Sequence, residues 1–452
     1  MVERCPDKTE VSGSIPGVPT IMNTVKAWVV AVSMGYGHQR TAHSVRGLAP
    51  ENRFINANDY PGIPAPDRRK WEGSKNFYEF ISRFKRTPII GNVVFSLFNK
   101  LLKIASFYPQ HDLSRPDANV RHIANFIKRG WGKHFIETLK KQPLPMIATF
   151  FVPALMAEFY DYPENIYCIV PDADIARSWA PLMPHSSRIH YCAPSERVVE
   201  RLKQYGIPPK HVSLTGYPLP KENIGKQDEI ARSDTARRIV NLDPEGVYRR
   251  EYASLIKEYL GTLPKNAGRP LTIMISIGGA GAQTEIGITV MRSLKEKLRA
   301  GEVRLFLGAG MKESVRTRFT NELTRLDMGD CRDNVCIVTG DTLETYFNRF
   351  NEALREIDIL WTKPSELSFY CALGIPIVIA PPIGAQEDYN KEWLLRLGAG
   401  MSAENPLHVN EWLFDALKTG WFAEAAMQGF IEAERRGTFN IEKLVSQKIS
   451  TV

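Results

Sequence analysis

This 452-residue sequence lacks paired cysteines and any long apolar run. Its six cysteines are scattered and none forms a Cys-x-x-Cys pair, which excludes the common zinc-binding spacing. No run of about 18 uninterrupted apolar residues occurs, so no membrane-spanning helix is expected. The N-terminus carries early acidic residues and is followed by no apolar run, so a secretion signal is not expected. These absences predict a reduced, cytoplasmic protein with free thiols.

The bulk composition is that of a globular protein with more than one core. Hydrophobic residues make up 43% of the chain and charged residues 24%. A chain of this length is expected to divide into two domains. The formal net charge of +8 favours an anionic partner, whether nucleotide phosphates, nucleic acid or anionic lipid.

Short apolar runs alternate with helical patterns, which predicts α/β structure with parallel strands. Residues 1–24 are predicted to form a flexible leader, 25–220 a first domain, 221–268 a helical connector, 269–420 a second domain, and 421–452 a C-terminal helix that can cross back. Each domain opens with a strand and a glycine turn. We therefore expect two Rossmann-like halves that face each other across a cleft. The predicted strands cover 27–33, 146–151, 165–170, 189–193, 211–215, 271–277, 303–307, 335–338, 358–361 and 376–380.

A glycine turn follows the first strand of the second domain. Gly278, Gly279, Gly281 and Ala282 would let backbone N–H groups approach a phosphate at the start of a helix. The alternative is a tight turn without a ligand. The turn is not a Walker motif, because the Lys-Ser/Thr ending is missing.

A second loop, 361–367, follows another predicted strand and precedes a helix expected at 368–373. Lys363 and exposed backbone N–H groups of this loop, which includes Pro364 and Ser365 among the predicted nucleotide-sugar-binding residues, are expected to hold donor phosphates, and Glu366 to reach a ribose hydroxyl. The alternative is structural, with Ser365 capping the helix and Glu366 in its first turn.

The third loop of the second domain, 381–390, lies where ligands bind in open α/β sheets. Gln386 and Glu387 offer donors and acceptors that suit sugar hydroxyls, and Asn390 follows them. The alternative is an acidic helix start that complements the helix dipole.

In the first domain, a glycine turn formed by Gly35 and Gly37 places His38 at the start of a helix. An acceptor hydroxyl must lose a proton as it attacks, and histidine titrates near neutral pH. Asp172 ends another strand of this domain and either orients the base or is the base. The alternatives are a histidine bonded to backbone and an ordinary turn aspartate.

Residues 81–110 contain no acidic residue. Apolar side chains fall at helical spacing on one face of this segment, which is typical of a helix in a membrane interface attracted to anionic lipid. The alternative is a helix packed on its own domain. The residues predicted to meet the membrane surface are Arg83, Lys85, Arg86, Phe98, Lys100, Leu101 and Lys103.

Taken together, the glycine turn 35–42, Val170-Pro171-Asp172 with Trp179, Thr215-Gly216-Tyr217-Pro218 and the three loops of the second domain resemble a GT-B glycosyltransferase family. That family contains monogalactosyldiacylglycerol synthases, processive diacylglycerol glucosyltransferases and the peptidoglycan N-acetylglucosaminyltransferase. The resemblance covers most of residues 26–400.

The resemblance implies a UDP-sugar donor, a lipid or other membrane-surface acceptor, and a peripheral location on the inner face of the membrane. It assigns acceptor activation to His38, assisted by Asp172, and sugar contacts to Gln386 and Glu387. No metal or cofactor is expected, because helix N-termini and Lys363 supply positive charge. The sequence departs from the family at Cys371, where a glutamate thought to hold ribose is absent.

Two other functions stay open. The first is a non-hydrolysing UDP-sugar epimerase, which needs additional acids in the cleft and no lipid surface. The second is a non-catalytic nucleotide-sugar-binding protein, favoured by the missing glutamate. Nucleic-acid binding is not expected, since the basic residues cluster with aliphatic rather than stacking aromatic residues.

Overall fold

The computed structural model describes residues 25–73, 104–276, 284–328, 333–382 and 384–449. Strands and helices alternate along both halves of the chain, as the periodicity predicts. All ten predicted strands are present with ends shifted by a few residues, and two short strands, Ile55–Asn56 and Gly400–Ser402, are additional.

The first half contains a six-stranded sheet in which every neighbouring pair is parallel. Most of its strands are buried without alternation, typical of a sheet covered on both faces. In chain order they are β1 (Trp28–Ala31), β2 (Ile55–Asn56), β3 (Met146–Ala148), β4 (Ile166–Ile169), β5 (His190–Ala193) and β6 (Val212–Leu214), arranged β2-β1-β3-β4-β5-β6. The helices are Tyr36–Ser44, Ala118–Lys128, Lys133–Lys140, Phe151–Phe159 and Glu196–Gln204, with a further helical stretch over 65–73.

The second half repeats this architecture with another six-stranded parallel sheet. Its strands are β7 (Leu271–Ser276), β8 (Val303–Gly310), β9 (Val335–Thr339), β10 (Ile359–Thr362), β11 (Ile377–Ile379) and β12 (Gly400–Ser402), arranged β12-β11-β10-β7-β8-β9. Its helices are Thr284–Ser293, Lys295–Arg299, Glu313–Arg325, Leu343–Leu354, Ala385–Leu397, Val409–Lys418 and Trp421–Glu432. Two Rossmann-like halves, as predicted, are thereby confirmed.

The order of the strands reverses between β1 and β3 in the first sheet and between β7 and β10 in the second. Crevices at such reversal points, outside the carboxyl ends of the strands, are where ligands bind in open α/β sheets. The loops that carry the predicted site residues follow β1, β7 and β10 at these points, and β4 and β11 beside them.

Three helices lie between β6 and β7 in the chain and contribute to the core of the second half. They are Glu229–Leu242, Val247–Glu251 and Ala253–Leu260. Ile239 and Leu242 are fully buried there, although the segment reads as polar and charged. The segment predicted to connect the domains therefore packs as part of the second half.

The final helix, Gly437–Ile449, packs against the first sheet. Ile441 and Val445 are fully buried in a cluster with Ala27 and Val29, which lie at the start of the chain's first strand. The Thr438 hydroxyl donates to the carbonyl of Leu219, 2.5 Å away. The C-terminal end of the chain thus ties the second half to the first.

None of the helices within the described segments is both long enough and apolar enough to cross a membrane.

If the final helix secures the first half, Ile441→Ala should lower the free energy of unfolding by about 2–5 kcal/mol, because it leaves a cavity in a closed core. Urea unfolding followed by circular dichroism measures the change. Leu407→Ala is the control. Leu407 is 61% exposed, so this variant should lose little free energy of unfolding. Equal losses from the two variants would contradict this packing role.

Candidate active site

The first glycine turn leads from β1 into the helix Tyr36–Ser44 with Gly35 at a φ of 115°, a region that favours glycine. An added Cβ at Gly37 would lie 2.9 Å from Oε2 of Glu366 in the other half, so the carboxylate would have to move to admit a side chain. The turn therefore fits closely against the loop that follows β10.

His38 is held by the strand next to its own. Its Nδ1 lies 2.7 Å from the carbonyl oxygen of Thr149, just after β3, and its ring packs 4.7 Å from that of Phe150. A carbonyl can only accept, so Nδ1 carries the proton and neutral His38 keeps the Nε2 lone pair. Burial lowers the pKa of His38 to about 4, against the opposing effect of the Thr149 bond. The imidazole is therefore neutral at physiological pH.

Asp172 lies after β4 and is half-buried. The side-chain amide of Asn390 donates to its Oδ1 over 2.9 Å. Burial raises the pKa of Asp172 to about 7; the Asn390 bond lowers it, and the nearby carboxylates of Glu366 and Glu387 raise it further. A carboxyl with this pKa can take up and release protons near neutral pH.

Lys363 and Glu387, two residues of the predicted donor side, form an ion pair. The Lys363 Nζ lies 2.5 Å from Oε1 of Glu387, and both side chains are partly accessible. Glu387 and Gln386 occupy the first turn of the helix Ala385–Leu397 and are half-buried. The predicted donor loops after β10 and β11 therefore lie side by side.

Ser365 stands at the N-cap of a 3-10 helix, Glu366–Leu373, which begins before the helix expected at 368–373. Its side chain makes no capping bond, so the interpretation of Ser365 as a cap is wrong. Pro364 is buried, and its carbonyl accepts a 3.3 Å bond from Asn390.

Glu366 makes an ion pair with Arg40, which sequence reasoning missed. The Arg40 Nε lies 3.3 Å from Oε1 of Glu366, with the two residues 3% and 8% exposed. The guanidinium also lies over the rings of Phe350 and Phe347, at 4.0 and 4.7 Å from their centroids. The only signal of Arg40 in the sequence is its place in the glycine-turn motif, which does not reveal a buried partner.

Cys371, at the place of the family's glutamate, is fully buried, and burial raises the pKa of its thiol. Its carbonyl oxygen is so close to Gly429 that a Cβ there would approach to 2.5 Å. Cys371 is a core residue and has no access to a ligand.

The structure brings Gly37, Glu366, Asp172 and Asn390 into one contact network between the halves. Two predicted groups lie outside the described residues: the glycine turn of Gly278, Gly279, Gly281 and Ala282, and the membrane segment. The membrane segment's predicted residues are Arg83, Lys85, Arg86, Phe98, Lys100, Leu101 and Lys103. Within the described part of the chain, no group of three or more His, Cys, Asp or Glu residues is arranged to hold a metal ion.

Residues 263–335 match the family DUF6938, described as a domain of unknown function. This stretch contains β7, β8 and the start of β9, and it is a small part of the chain. No curated protein matches the chain significantly.

Among solved structures, MurG of Acinetobacter baumannii is 15% identical, with a TM-score of 0.46 over 93% of this chain and 99% of its own. UDP-GlcNAc 2-epimerase from Neisseria meningitidis, bound to UDP-GlcNAc, is 12% identical, with a TM-score of 0.43 over 80% and 89%. A glycosyltransferase from Rickettsia africae is 13% identical, with a TM-score of 0.40 over 95% and 99%. Likeness this distant assigns no substrate and no reaction to this chain.

Arg40→Gln should lower the free energy of unfolding by about 3–5 kcal/mol, since it leaves Glu366 buried without its charge partner. Adding Glu366→Gln should restore part of that loss, and a double-mutant cycle in urea measures the coupling. Arg396→Gln, which breaks an exposed pair with Glu392, is the control and should cost little. Additive effects of the Arg40 and Glu366 substitutions would show that the two charges do not depend on each other.

Proposed function

We propose that this protein is a glycosyltransferase that moves a hexose or N-acetylhexosamine from a UDP-sugar to a hydroxyl of a lipid or other membrane-surface acceptor. One observation carries the proposal: Asp172 of the first half meets Asn390 of the second. A proton-accepting group and the loops suited to a nucleotide diphosphate thereby meet at the carboxyl ends of the strands of two parallel sheets. We call this contact region between the halves, which contains Arg40, Asp172, Glu366 and Asn390, the seam.

On the donor side, the start of a helix and the Lys363 ammonium, which is paired with Glu387, lie where the proposal puts the diphosphate. The helix Ala385–Leu397 points its N-terminus at this seam, and Lys363 lies next to its first turn. In the proposal Lys363 holds the phosphates together with the glycine turn after β7, and Gln386 with Glu387 orients the sugar. The UDP-sugar is a substrate, and no cofactor is invoked.

On the acceptor side, the pKa values favour Asp172 over His38 as the proton acceptor. A base is most effective when its pKa is near the working pH, and Asp172, at about 7, meets that condition better than His38, at about 4. In the proposed step the acceptor oxygen bonds to the anomeric carbon while its proton passes to Asp172. The bond from that carbon to UDP breaks, and UDP leaves with the electron pair. The Nε2 of neutral His38, which carries no proton, can accept a hydrogen bond from a second hydroxyl of the acceptor, because the attacking hydroxyl gives its only proton to Asp172.

Asp172→Asn should lower turnover about 10²–10⁴-fold while UDP-sugar binding is kept. In the parent protein kcat/KM should fall as the pH drops below 7, because protonated Asp172 cannot take the proton. In His38→Gln the same fall of kcat/KM below pH 7 should remain. The assay combines UDP-glucose, UDP-galactose or UDP-GlcNAc with lipid extract after a thermal-shift screen of the three donors.

Asp415→Asn, on an exposed helix face, is the control and should leave turnover unchanged. Normal turnover in Asp172→Asn would remove Asp172 from the mechanism. Binding of UDP without turnover of any donor in the parent protein would favour the non-catalytic alternative.

A second candidate function, epimerisation of a UDP-sugar, is favoured by one observation. The carboxyl groups of Glu366 and Glu387 both lie close enough to that of Asp172 to raise its pKa. Epimerases of the non-hydrolysing type need such additional acids. Arg40 is paired with Glu366 and Lys363 with Glu387, so the net negative charge of this group is smaller than the number of its carboxyl groups suggests. Formation of a 2-acetamido sugar isomer without an acceptor would identify this activity.

The membrane part of the proposal rests on the acid-free segment. Changing Lys100 and Lys103 together to Glu should weaken binding to anionic vesicles roughly 30-fold, at about 1 kcal/mol for each basic residue lost. Vesicle co-sedimentation measures it, with Lys312→Glu plus Lys418→Glu in the second half as a control of equal charge change. Equal weakening in both double variants would indicate a general charge effect without a docking helix.

A further inference from the structure

Asn390 is fully buried in the seam between the two halves, one turn into the helix Ala385–Leu397. Its side-chain oxygen accepts from the backbone N–H of Ala173 over 2.7 Å. Its side-chain nitrogen donates to Oδ1 of Asp172 over 2.9 Å and to the carbonyl of Pro364 over 3.3 Å. One amide therefore joins three chain segments from both halves.

The partners fix which end of this amide is oxygen. The N–H of Ala173 can only donate, so the atom facing it must be the acceptor. The Pro364 carbonyl can only accept, so the atom facing it is the nitrogen. With both nitrogen hydrogens engaged and the side chain fully buried, Asn390 has no hydrogen-bond donor to offer a sugar, and its oxygen is out of reach.

We propose that Asn390 is a positioning residue, which holds Asp172 from the opposite half of the molecule, and that it is not a contact of the donor sugar. This inference deepens the proposed function and rests on its assignment of Asp172 as the proton acceptor. It revises the sequence-based prediction that Asn390 binds the nucleotide sugar. It also makes the orientation of Asp172 depend on the loop of Pro364, which follows β10 on the donor side.

Because Asp172 is surrounded by charged groups, it matters that the Asn390 side chain that holds it is neutral. Glu366 and Glu387 both act on Asp172 as negative charges, and their own partners are Arg40 and Lys363. Behind Asp172 in the chain, Asp174 is paired with Arg197 and Arg201, and Arg197 also lies near the ring of Tyr389. An amide donor favours the ionised form of Asp172 without adding charge to this cluster.

Asn390→Asp is nearly isosteric and reverses this effect. One carboxylate oxygen can still accept from Ala173, but the other faces Oδ1 of Asp172 without a proton to donate. Two carboxyls at that separation cannot both ionise readily, so they should retain a shared proton to a higher pH. Asn390→Ala removes the hydrogen bond without introducing a like charge, so it should also raise the pKa of Asp172, but by a smaller amount.

The experiment follows the Asp carboxyl carbons by NMR against pH in the full-length protein without substrate. Asp172→Asn identifies the resonance of Asp172 by its disappearance. We expect Asn390→Asp to raise the titration midpoint of that resonance by about one unit or more, and Asn390→Ala to raise it by less. Asn321→Asp, on the exposed face of the helix Glu313–Arg325, is the control and should leave the midpoint unchanged.

An unchanged midpoint in both folded Asn390 variants would overturn the proposal, and so would a loss of UDP-sugar affinity without a shift of the midpoint. If the glycosyltransferase assignment holds, the acidic limb of kcat/KM should move by the same amount in Asn390→Asp while KM for the UDP-sugar changes less than about twofold. Because the titration needs no turnover, a shifted midpoint without activity would support the positioning role while contradicting the proposed function.

Discussion

The buried ion pair between Arg40 and Glu366 joins the two halves of the molecule through opposite charges. A charge taken out of water costs several kcal/mol unless an opposite charge stands beside it. Arg40 comes from the first half and Glu366 from the second, so neither is stabilised in its buried position unless the halves meet there. The same contact presses Gly37 against Glu366, where an added Cβ would lie 2.9 Å from a carboxylate oxygen. The ion pair therefore also fixes the turn that carries His38.

Burial shifts the pKa values of His38 and Asp172 in opposite directions. Burial disfavours the charged form of each, so the pKa of His38 falls to about 4 and that of Asp172 rises to about 7. The imidazole becomes a neutral acceptor at physiological pH, while the carboxyl becomes a base that titrates there. The different roles that the proposed function gives to the two residues therefore rest on where each lies in the fold. Residue type alone would have favoured the opposite assignment.

The fold could be predicted from the sequence more completely than the contacts between the two halves could. Ten strands were predicted from apolar runs because parallel strands are buried on both faces. The two missed strands, Ile55–Asn56 and Gly400–Ser402, lie at sheet edges and are too short to form such a run. Arg40 was missed because its partner lies 326 positions away and no local pattern reveals that pairing. Asn390 was placed in the correct loop, but its hydrogen-bond partners in the first half lie more than 200 positions earlier in the chain.

The ion pair also bears on how a nucleotide would be held. Cys371 replaces the glutamate that the resembling family is thought to use for ribose, and it is buried in the core. Glu366 is the nearest substitute in sequence, but reaching a ribose would strip Arg40 of its partner inside the seam. Breaking such a pair costs about 3–5 kcal/mol, which exceeds the gain of about 1.5–3 kcal/mol from a hydrogen bond to a charged group. A donor bound to the closed seam is therefore better served by backbone groups at its ribose, with Glu366 left on Arg40.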